Sequence, residues 1–255
     1  MALVTEHGTG QVSVVLIHGW GLGAHVWTSV LPQLIQRFRV HEVTLPGHGD
    51  AVPWPFRGDL RDPADALLER VPAGALWLGW SLGAMVAITA ATRRPGAVAG
   101  LGVVAANARF VAATAWPHGV APGVFDAFAG LLRSDPVAAR RRFAALLAPA
   151  GAQRRAVTLA LAAEPAWGDA RRCLARPLDI LATADLRPAL AHIRCPVQWL
   201  LADEDPLVPS SVARALGNRN PRWEVRSVSG GHAFFMDRPE AITATVDRLV
   251  ASRGD

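Results

Sequence analysis

A serine between two glycines, directly after an apolar run, is the first feature of the sequence that could carry out chemistry. Ser81 stands in the stretch LGWSLGA, with Gly79 two residues before it and Gly83 two residues after it. The apolar run predicts a buried strand, and the alanine-rich residues that follow predict a helix. A serine at such a strand-to-helix turn is typical of a nucleophile, because the strained turn exposes its hydroxyl at the end of the sheet. The alternative is a tight turn whose serine only caps the helix.

A nucleophilic serine needs a base that takes its proton and a carboxylate that orients the base. His232, in the stretch SGGHAFF, follows a predicted strand and two glycines, so we expect an imidazole on a tight loop. Asp205 follows another predicted strand, in the stretch DEDPLVP. Asp203 and Glu204 are alternatives for the acid, and we prefer Asp205 because it directly precedes the PLVP turn. Ser81, Asp205 and His232 are therefore the predicted catalytic residues.

Attack of a serine on a carbonyl creates an oxyanion, which needs backbone N–H donors that are already in place. The amide of Leu82 is one candidate, because this residue follows Ser81 and opens the helix. The amide of Trp20 is the second, since Gly19 and Gly21 on either side let the backbone approach the site. The alternative for Trp20 is a core aromatic residue.

The composition indicates a globular protein, for which we expect no metal and no cofactor. With 255 residues, 51% of them hydrophobic, the chain can bury a large core. No run approaches the roughly 20 apolar residues of a membrane span, and the first residues lack a signal-peptide pattern, so we expect a cytoplasmic protein without a membrane partner. A monomer is a separate expectation, because the sequence pattern does not determine the oligomeric state. Cys173 and Cys195 show no metal-ligand spacing and are expected to be ordinary reduced thiols. His18 and His48 are expected to be hydrogen-bonding residues of their turns.

The elements that position these residues alternate between strand and helix, which predicts an α/β protein with a mostly parallel central sheet and helices on both faces. Strands are predicted at 12–17, 39–45, 75–78, 98–105, 197–202 and 224–228, and helices at 26–38, 63–71, 82–91 and 239–252. The alternation breaks between residues 109 and 194, where helical segments are punctuated by prolines. We therefore predict a core formed by residues 1–108 and 195–255 and a helical cap, residues 109–194, inserted into it.

The net charge of +5 is concentrated in the predicted cap. The chain contains no lysine, and twelve of its 26 arginines lie between residues 109 and 194 beside six acidic residues. A basic surface can bind a nucleic acid, a membrane or an acidic protein. No helix-turn-helix, zinc-finger or aromatic sheet motif supports a nucleic-acid partner.

Five motifs in this order resemble the α/β-hydrolase superfamily across essentially the whole chain: IHGWGLGAHVW, TLPGHG, LGWSLGAMVA, LADEDPLVP and GGHAFF. The tryptophans in HGWG and GWSLG, the segment ILATADLRPAL and the overall length are similar, more narrowly, to the pimeloyl-acyl-carrier-protein methyl ester esterases of biotin synthesis. The resemblance implies an α/β-hydrolase fold, a serine esterase without a cofactor, and an acyl-carrier protein bearing an acyl methyl ester as partner.

The same resemblance assigns roles to individual residues. It implies Ser81 as nucleophile, His232 as base, Asp205 as its orienting acid, and Trp20 and Leu82 at the oxyanion and substrate-binding position. The cap segment that matches the family's acyl-chain contacts comprises Phe143, Ala144, Ala145, Leu146 and Leu147. The arginines implied in docking the acidic carrier protein are Arg140, Arg141, Arg142, Arg154 and Arg155, although their clustered spacing departs from the family pattern.

The cap residues support the same interpretation on their own. Apolar residues recur at helical spacing in Val124, Phe125, Phe128, Leu131 and Leu132, either as packing or as the lining of a slot for an extended aliphatic chain. Three other activities of the same fold remain alternatives: a broad short-chain carboxylesterase, an aminopeptidase-like hydrolase and a carbon-carbon bond hydrolase. A ligand receptor or scaffold without turnover is the alternative from another class.

Overall fold

The structure is a computed structural model that describes residues 3–148 and 152–253. Apolar segments of the described chain form one seven-stranded sheet with the order β1-β3-β2-β4-β5-β6-β7. All neighbouring pairs are parallel except β1 and β3. The strands are β1 (Leu3–His7), β2 (Ser13–Ile17), β3 (Arg39–Thr44), β4 (Ala75–Trp80), β5 (Val98–Val104), β6 (Val197–Ala202) and β7 (Glu224–Val228). The predicted α/β class with a mostly parallel sheet is confirmed.

The edge strand β1 is the one strand that the sequence pattern did not predict. Its residues, LVTEH, include two charged or titratable side chains and are half-buried or exposed. The strand pairs antiparallel with β3, with Thr5 opposite Glu42. An edge strand has only one neighbour and little burial, so it lacks the apolar run that indicates a central parallel strand.

Ten α-helices are present in the described residues. They are α1 (Leu31–Leu34), α2 (Arg61–Leu68), α3 (Leu82–Arg93), α4 (Pro122–Ser134), α5 (Pro136–Leu147), α6 (Ala152–Ala163), α7 (Ala170–Cys173), α8 (Ala175–Thr183), α9 (Val212–Gly217) and α10 (Glu240–Ala251). Short 3₁₀ helices lie at Ala24–Trp27, Gly49–Ala51, Pro165–Asp169, Ala189–His192 and Phe234–Met236. Among the described helices, none combines the length and the apolar character that crossing a membrane requires.

The continuous helix predicted over 26–38 is wrong in extent. A 3₁₀ turn ends at Trp27, and a single α-helical turn, α1, begins at Leu31. Pro32 lies in the first turn of α1, where its missing N–H is tolerated, but it cannot donate the hydrogen bond that a helix running through residue 32 would need. The chain therefore restarts its helix at this proline.

Helices α4 to α8 lie between β5 and β6, and the described residues there contribute no strand to the sheet. Two indole groups tie this segment to the loop after β2. Trp20 Nε1 donates to the carbonyl of Leu174 at 2.9 Å, and Trp167 Nε1 donates to the carbonyl of Gly21 at 2.8 Å. A buried carboxylate links the segment to the loop after β3 as well, because Glu164 accepts the Gly49 N–H at 2.7 Å. The division into core and cap remains a prediction, and these contacts would join the two parts.

Helix α3 packs very closely on the sheet through Gly83. A methyl group added at Gly83 would lie 2.3 Å from the carbonyl oxygen of Ile17 and 2.4 Å from that of His18. Backbone atoms cannot turn away as a flexible side chain can, so only glycine permits this approach. The contact brings the start of α3 against the end of β2, and with it Ser81 against the loop that carries Trp20.

We predict that Gly83→Ala lowers the free energy of unfolding by about 1–3 kcal/mol, because the added methyl group forces the end of β2 away from α3. The matched control is Gly130→Ala in α4, where a methyl group would meet no atom within 4 Å. Alanine is favoured over glycine in a helix, so the control should be neutral or stabilising. Urea unfolding followed by circular dichroism measures both variants, and equal stability losses would contradict the prediction.

Candidate active site

Ser81 occupies a strained backbone position between β4 and α3. Its φ of 54° and ψ of −116° lie in a region that residues with a side chain rarely adopt. The Ser81 N–H donates to the carbonyl of Val104 at 2.9 Å, which continues the β4–β5 pairing into the turn. The Ser81 carbonyl accepts the N–H groups of Ala84 and Met85 and so begins α3. The hydrogen bonds of the β4–β5 pairing and those of α3 together hold the turn that carries the Ser81 hydroxyl.

His232 and Asp205 form a buried hydrogen-bonded pair. The Nδ1–Oδ2 distance is 2.7 Å, and the residues are 1% and 7% exposed. The other carboxylate oxygen of Asp205 accepts the N–H groups of Leu207 and Val208 at 2.8 and 3.0 Å. Nδ1 can donate only if it carries the proton, so this contact leaves Nε2 as the acceptor of the neutral imidazole.

The two alternative acids lie elsewhere. Asp203 Oδ1 accepts the N–H of Gly230 at 2.9 Å, in the loop that leads to His232. Glu204 is exposed, and its N–H donates to the carbonyl of Gly230. Of the three neighbouring acids, Asp205 is the one whose carboxylate contacts the imidazole, while Asp203 supports the backbone of the same loop.

Ser81 and His232 line one pocket. Ser81 is 8% exposed, and its hydroxyl makes no hydrogen bond to another described residue. The structure thus brings His232 and Asp205 into contact, and brings Ser81 to the same pocket without a hydrogen bond to the imidazole. Hydrogen bonds between a catalytic nucleophile and its base often tighten only when substrate is bound.

The loop after β2 approaches Ser81 through Gly19. A methyl group at Gly19 would lie 3.2 Å from Ser81 Cβ, so the backbone of this loop lies against the serine. The backbone N–H groups of Trp20 and Leu82 have no hydrogen-bond partner among the described residues. Leu82 is the first residue of α3, where an N–H has no acceptor inside the helix. The two N–H groups that the sequence predicts as oxyanion donors are therefore without an acceptor among the described residues.

Two buried histidines shape this loop. His18 Nε2 accepts the N–H of Leu45 at 2.9 Å, and His48 Nε2 accepts the N–H of Gly21 at 3.1 Å. Burial lowers the pKa of His18 well below its ordinary value, and the neighbouring His48 lowers it further. Burial also lowers the pKa of His48. Both imidazoles are therefore neutral at neutral pH and can accept these backbone hydrogen bonds, in the turn-forming role that the sequence predicts.

The pocket at Ser81 has about 660 Å³ of empty space, part of it open to solvent, and its walls are mainly apolar. Of the described residues that line it, Arg142 alone carries a permanent charge. The aromatic and aliphatic lining residues are Trp20, Trp80, Phe110, Val120, Val124, Phe125, Phe128, Phe143, Leu146, Leu178, Leu181, Pro206 and Leu207. Such walls suit an extended apolar group whose reacting end lies at Ser81.

Two of the five residues in the predicted acyl-contact segment, 143–147, line the pocket in the structure. Phe143 and Leu146 line the pocket, whereas Ala144 and Leu147 are buried away from it and Ala145 is exposed. Consecutive residues of a helix point about 100° apart, so five in a row encircle α5 and cannot all face one pocket. Phe143 and Leu146, three residues apart, line it, whereas Leu147, four residues after Phe143, packs in the core.

The predicted apolar stripe on α4 lines the pocket only along the first half of the helix. Val124, Phe125 and Phe128 line the pocket, whereas Leu131 and Leu132 do not. Seven other lining residues were not predicted from the sequence: Trp80, Phe110, Val120, Leu178, Leu181, Pro206 and Leu207. They lie at the end of β4, on loops and on α8, and their local patterns do not distinguish them from ordinary core residues.

The predicted docking arginines occupy different positions. Arg142 is exposed and lines the pocket, while Arg140 and Arg141 border a shallow groove between α5 and α6. Arg155 is exposed on α6. Arg154 is half-buried and donates to the carbonyl of Ala148 at 2.9 Å, at the end of α5. The last carbonyls of a helix need donors, so the guanidinium of Arg154 serves α5 and is not free for a partner.

The structure places no metal-binding group of three or more His, Cys, Asp or Glu among residues 3–148 and 152–253. Cys173 is buried and Cys195 is half-buried, and both are free thiols. Burial raises the pKa of Cys173, and raises that of Cys195 to about 11. Both side chains are therefore thiols rather than reactive thiolates at neutral pH.

Comparisons with known proteins agree with this geometry. A family model described as the alpha/beta hydrolase family matches residues 14–245. A protein of Sodalis glossinidius named pimeloyl-[acyl-carrier protein] methyl ester esterase is 43% identical over 91% of this chain and 91% of its own length. One of Aromatoleum aromaticum with the same name is 38% identical over 93% and 97%. An esterase from Exiguobacterium antarcticum shares the fold, with a TM-score of 0.86, 19% identity and coverage of 98% of this chain and 96% of its own.

We predict that Asp205→Asn lowers kcat at least 100-fold more than Asp203→Asn does. Asparagine at 205 carries no negative charge to balance the imidazolium, and an amide N–H turned toward His232 Nδ1 would favour the wrong tautomer. Asparagine at 203 keeps an oxygen that can accept the Gly230 N–H. Steady-state hydrolysis of a p-nitrophenyl ester measures both, and equal losses of kcat would remove the distinction between the two acids.

Proposed function

The chain belongs to the alpha/beta hydrolase family, and we propose that it is a serine esterase that hydrolyses the methyl ester of pimeloyl-acyl-carrier protein in biotin biosynthesis. The observation that carries the proposal is the buried His232–Asp205 pair facing the same apolar pocket as the strained Ser81. The names of the relatives, with 38% and 43% identity over nearly their whole length, support the substrate.

In the first half of the proposed reaction, Ser81 Oγ attacks the carbonyl carbon of the methyl ester while its proton moves to His232 Nε2. The carbonyl oxygen becomes an oxyanion, which the N–H groups of Trp20 and Leu82 stabilise. Asp205 stabilises the imidazolium that forms. The intermediate then expels the methoxy group, which takes the proton from Nε2 and leaves as methanol, and the acyl group remains as an ester on Ser81.

In the second half, water attacks the acyl-serine ester and gives its proton to His232 Nε2. A second oxyanion forms at the same donors and collapses as the Ser81 oxygen leaves and recovers a proton from the imidazolium. The product is the free carboxylic acid of the acyl chain, which ionises on release. The thioester to the carrier protein, at the far end of the chain, takes no part in either step.

The pocket suits a methyl ester better than the acid that is formed from it. An aliphatic chain and a methyl ester are uncharged, so the apolar walls can surround both without an unpaired charge. A carboxylate would lose hydration among these walls, where Arg142 alone of the described lining residues could supply a positive charge. The mainly apolar lining therefore suits the uncharged ester.

The carrier protein is proposed to lie against α5 and α6, next to the pocket. Arg140, Arg141, Arg142 and Arg155 have no ion pair or hydrogen bond from their guanidinium groups to described residues, so their charges are available to an acidic partner. Arg154 is left out, because its guanidinium serves the end of α5. A cytoplasmic location and a monomeric state belong to this proposal, with no role for a nucleic acid or a membrane.

We predict that Ser81→Ala abolishes ester hydrolysis, with kcat lowered by roughly a millionfold, because no other residue at the pocket can form the acyl intermediate. Ser134→Ala, at an exposed serine near the end of α4, is the control and should keep wild-type kcat. A fluorophosphonate probe should label the wild type and the control but not the Ser81 variant. A folded Ser81→Ala protein that keeps a tenth of wild-type turnover would overturn the proposed function.

We predict that the double variant Arg141→Glu, Arg155→Glu raises the KM for a carrier-linked pimeloyl methyl ester about tenfold and leaves the KM for a short p-nitrophenyl ester unchanged. Both arginines are exposed and lie outside the pocket lining, so reversing their charge acts on the partner rather than on the chemistry. Added salt should weaken the carrier-linked reaction selectively, since exposed charges are screened over about 8 Å at physiological ionic strength.

The control for this prediction is Arg194→Glu, Arg222→Glu, which reverses two exposed arginines at the opposite edge of the sheet, near the starts of β6 and β7. Equal effects of the two double variants on the carrier-linked KM would rule out docking at α5 and α6. A short ester hydrolysed as efficiently as the carrier-linked one would favour a broad short-chain carboxylesterase. Both outcomes leave the Ser81 prediction unaffected.

A further inference from the structure

Trp80, the residue directly before Ser81, contacts the loops that carry the other predicted catalytic groups. Its side chain is fully buried at the end of β4. Its ring lies 5.4 Å from the imidazole of His232 and 5.2 Å from the ring of Phe235, measured between centroids. On the oxyanion side, a methyl group at Gly19 would lie 2.9 Å from Trp80 Cε3. One indole thus lies between the loop after β2 and the histidine loop.

The indole also makes a directed contact. Trp80 Nε1 donates to the backbone carbonyl of His232 at 2.9 Å. Burial alone does not give an indole a partner in this protein, because the Nε1 atoms of Trp27, Trp77 and Trp199 are buried without a hydrogen-bond acceptor among the described residues. The one acceptor that Trp80 reaches belongs to the predicted catalytic base.

The backbone of His232 lies outside the sheet, so it depends on such contacts for its position. Its side chain is held by Asp205, and the N–H of the next residue, Ala233, donates to the carbonyl of Leu147 at 2.9 Å. Trp80 holds the carbonyl of His232 itself. Other hydrogen bonds of this loop are at Gly230 and Gly231. Removing the indole contact therefore allows the main chain at His232 to shift by a fraction of an ångström.

We propose that Trp80 is a positioning residue that sets the distance between Ser81 and His232 through the hydrogen bond from its indole to the His232 carbonyl. This proposal rests on the proposed function of Ser81 and His232. Trp80 and Ser81 are neighbours in the chain, and a rigid aromatic side chain links them to the base with few rotatable bonds. The hydrogen bond therefore fixes the base relative to the nucleophile rather than contributing only to packing.

The test compares Trp80→Phe with Trp77→Phe. Both change a fully buried tryptophan on β4 to the same smaller ring, but only the first removes a hydrogen bond. Trp80→Phe should lower kcat for a p-nitrophenyl ester roughly 10- to 100-fold, the size of effect that a small misplacement of reacting groups produces. KM should stay within about threefold, and the rate of fluorophosphonate labelling should fall in parallel with kcat, because both reactions need His232 to activate Ser81.

A merely structural role predicts a different pattern. In that case the two variants lose similar stability in urea unfolding and show the same kcat, and observing this would overturn the proposal. Replacement of Trp80 by 3-benzothienylalanine, in which sulfur takes the place of the indole N–H, keeps the ring shape should Trp80→Phe not fold. This replacement should lower kcat as well, and wild-type kcat would overturn the proposal. Failure of the proposed function itself shows separately, as turnover by Ser81→Ala.

Discussion

The site depends on holding Ser81 in a backbone conformation that residues with a side chain rarely adopt. A conformation of this kind costs on the order of 1–3 kcal/mol and persists only where the surrounding structure determines it several times over. Here the fully buried strand β4 fixes one side of the turn, and α3 fixes the other. The hydrogen bond from the Ser81 N–H to Val104 and the contact of Gly83 with the end of β2 complete the support. The position of the Ser81 hydroxyl at the pocket is therefore a product of the packing of the sheet rather than of the turn alone.

The same packing explains which features could be predicted from the sequence. The central strands are buried on both sides, so their apolar runs indicate them almost to the residue, as at β5 and β6. The ends of parallel strands meet at one edge of the sheet, so polar residues that directly follow β4, β6 and β7 come together even though they lie far apart in the chain. Ser81, Asp205 and His232 could be selected on that basis before any coordinates were known.

The features that escaped prediction depend on contacts between distant parts of the chain. The lining of the pocket by Phe110 or Leu178 follows from how the helices between β5 and β6 cross, which no local pattern encodes. Arg154 has the positive charge expected of a docking residue, but its guanidinium donates to the carbonyl of Ala148 at the end of α5. Glu164 is a buried carboxylate that accepts the backbone N–H groups of Gly49 and Ala166. The sequence around residue 164 does not indicate this role. Local sequence thus predicts where strands end, whereas tertiary contacts decide which side chains face the pocket.

The hydrogen bond between Ala233 and Leu147 gives the helical segment a direct hold on the histidine loop, and the paired indoles of Trp20 and Trp167 give it a hold on the loop after β2. The helices from 122 to 183 are therefore not a self-contained unit for exchange between relatives. The helices of a relative would bring carbonyl and indole groups placed to match that relative's own loops. A chimera that keeps these contacts has to take the helical segment together with the two loops that it touches.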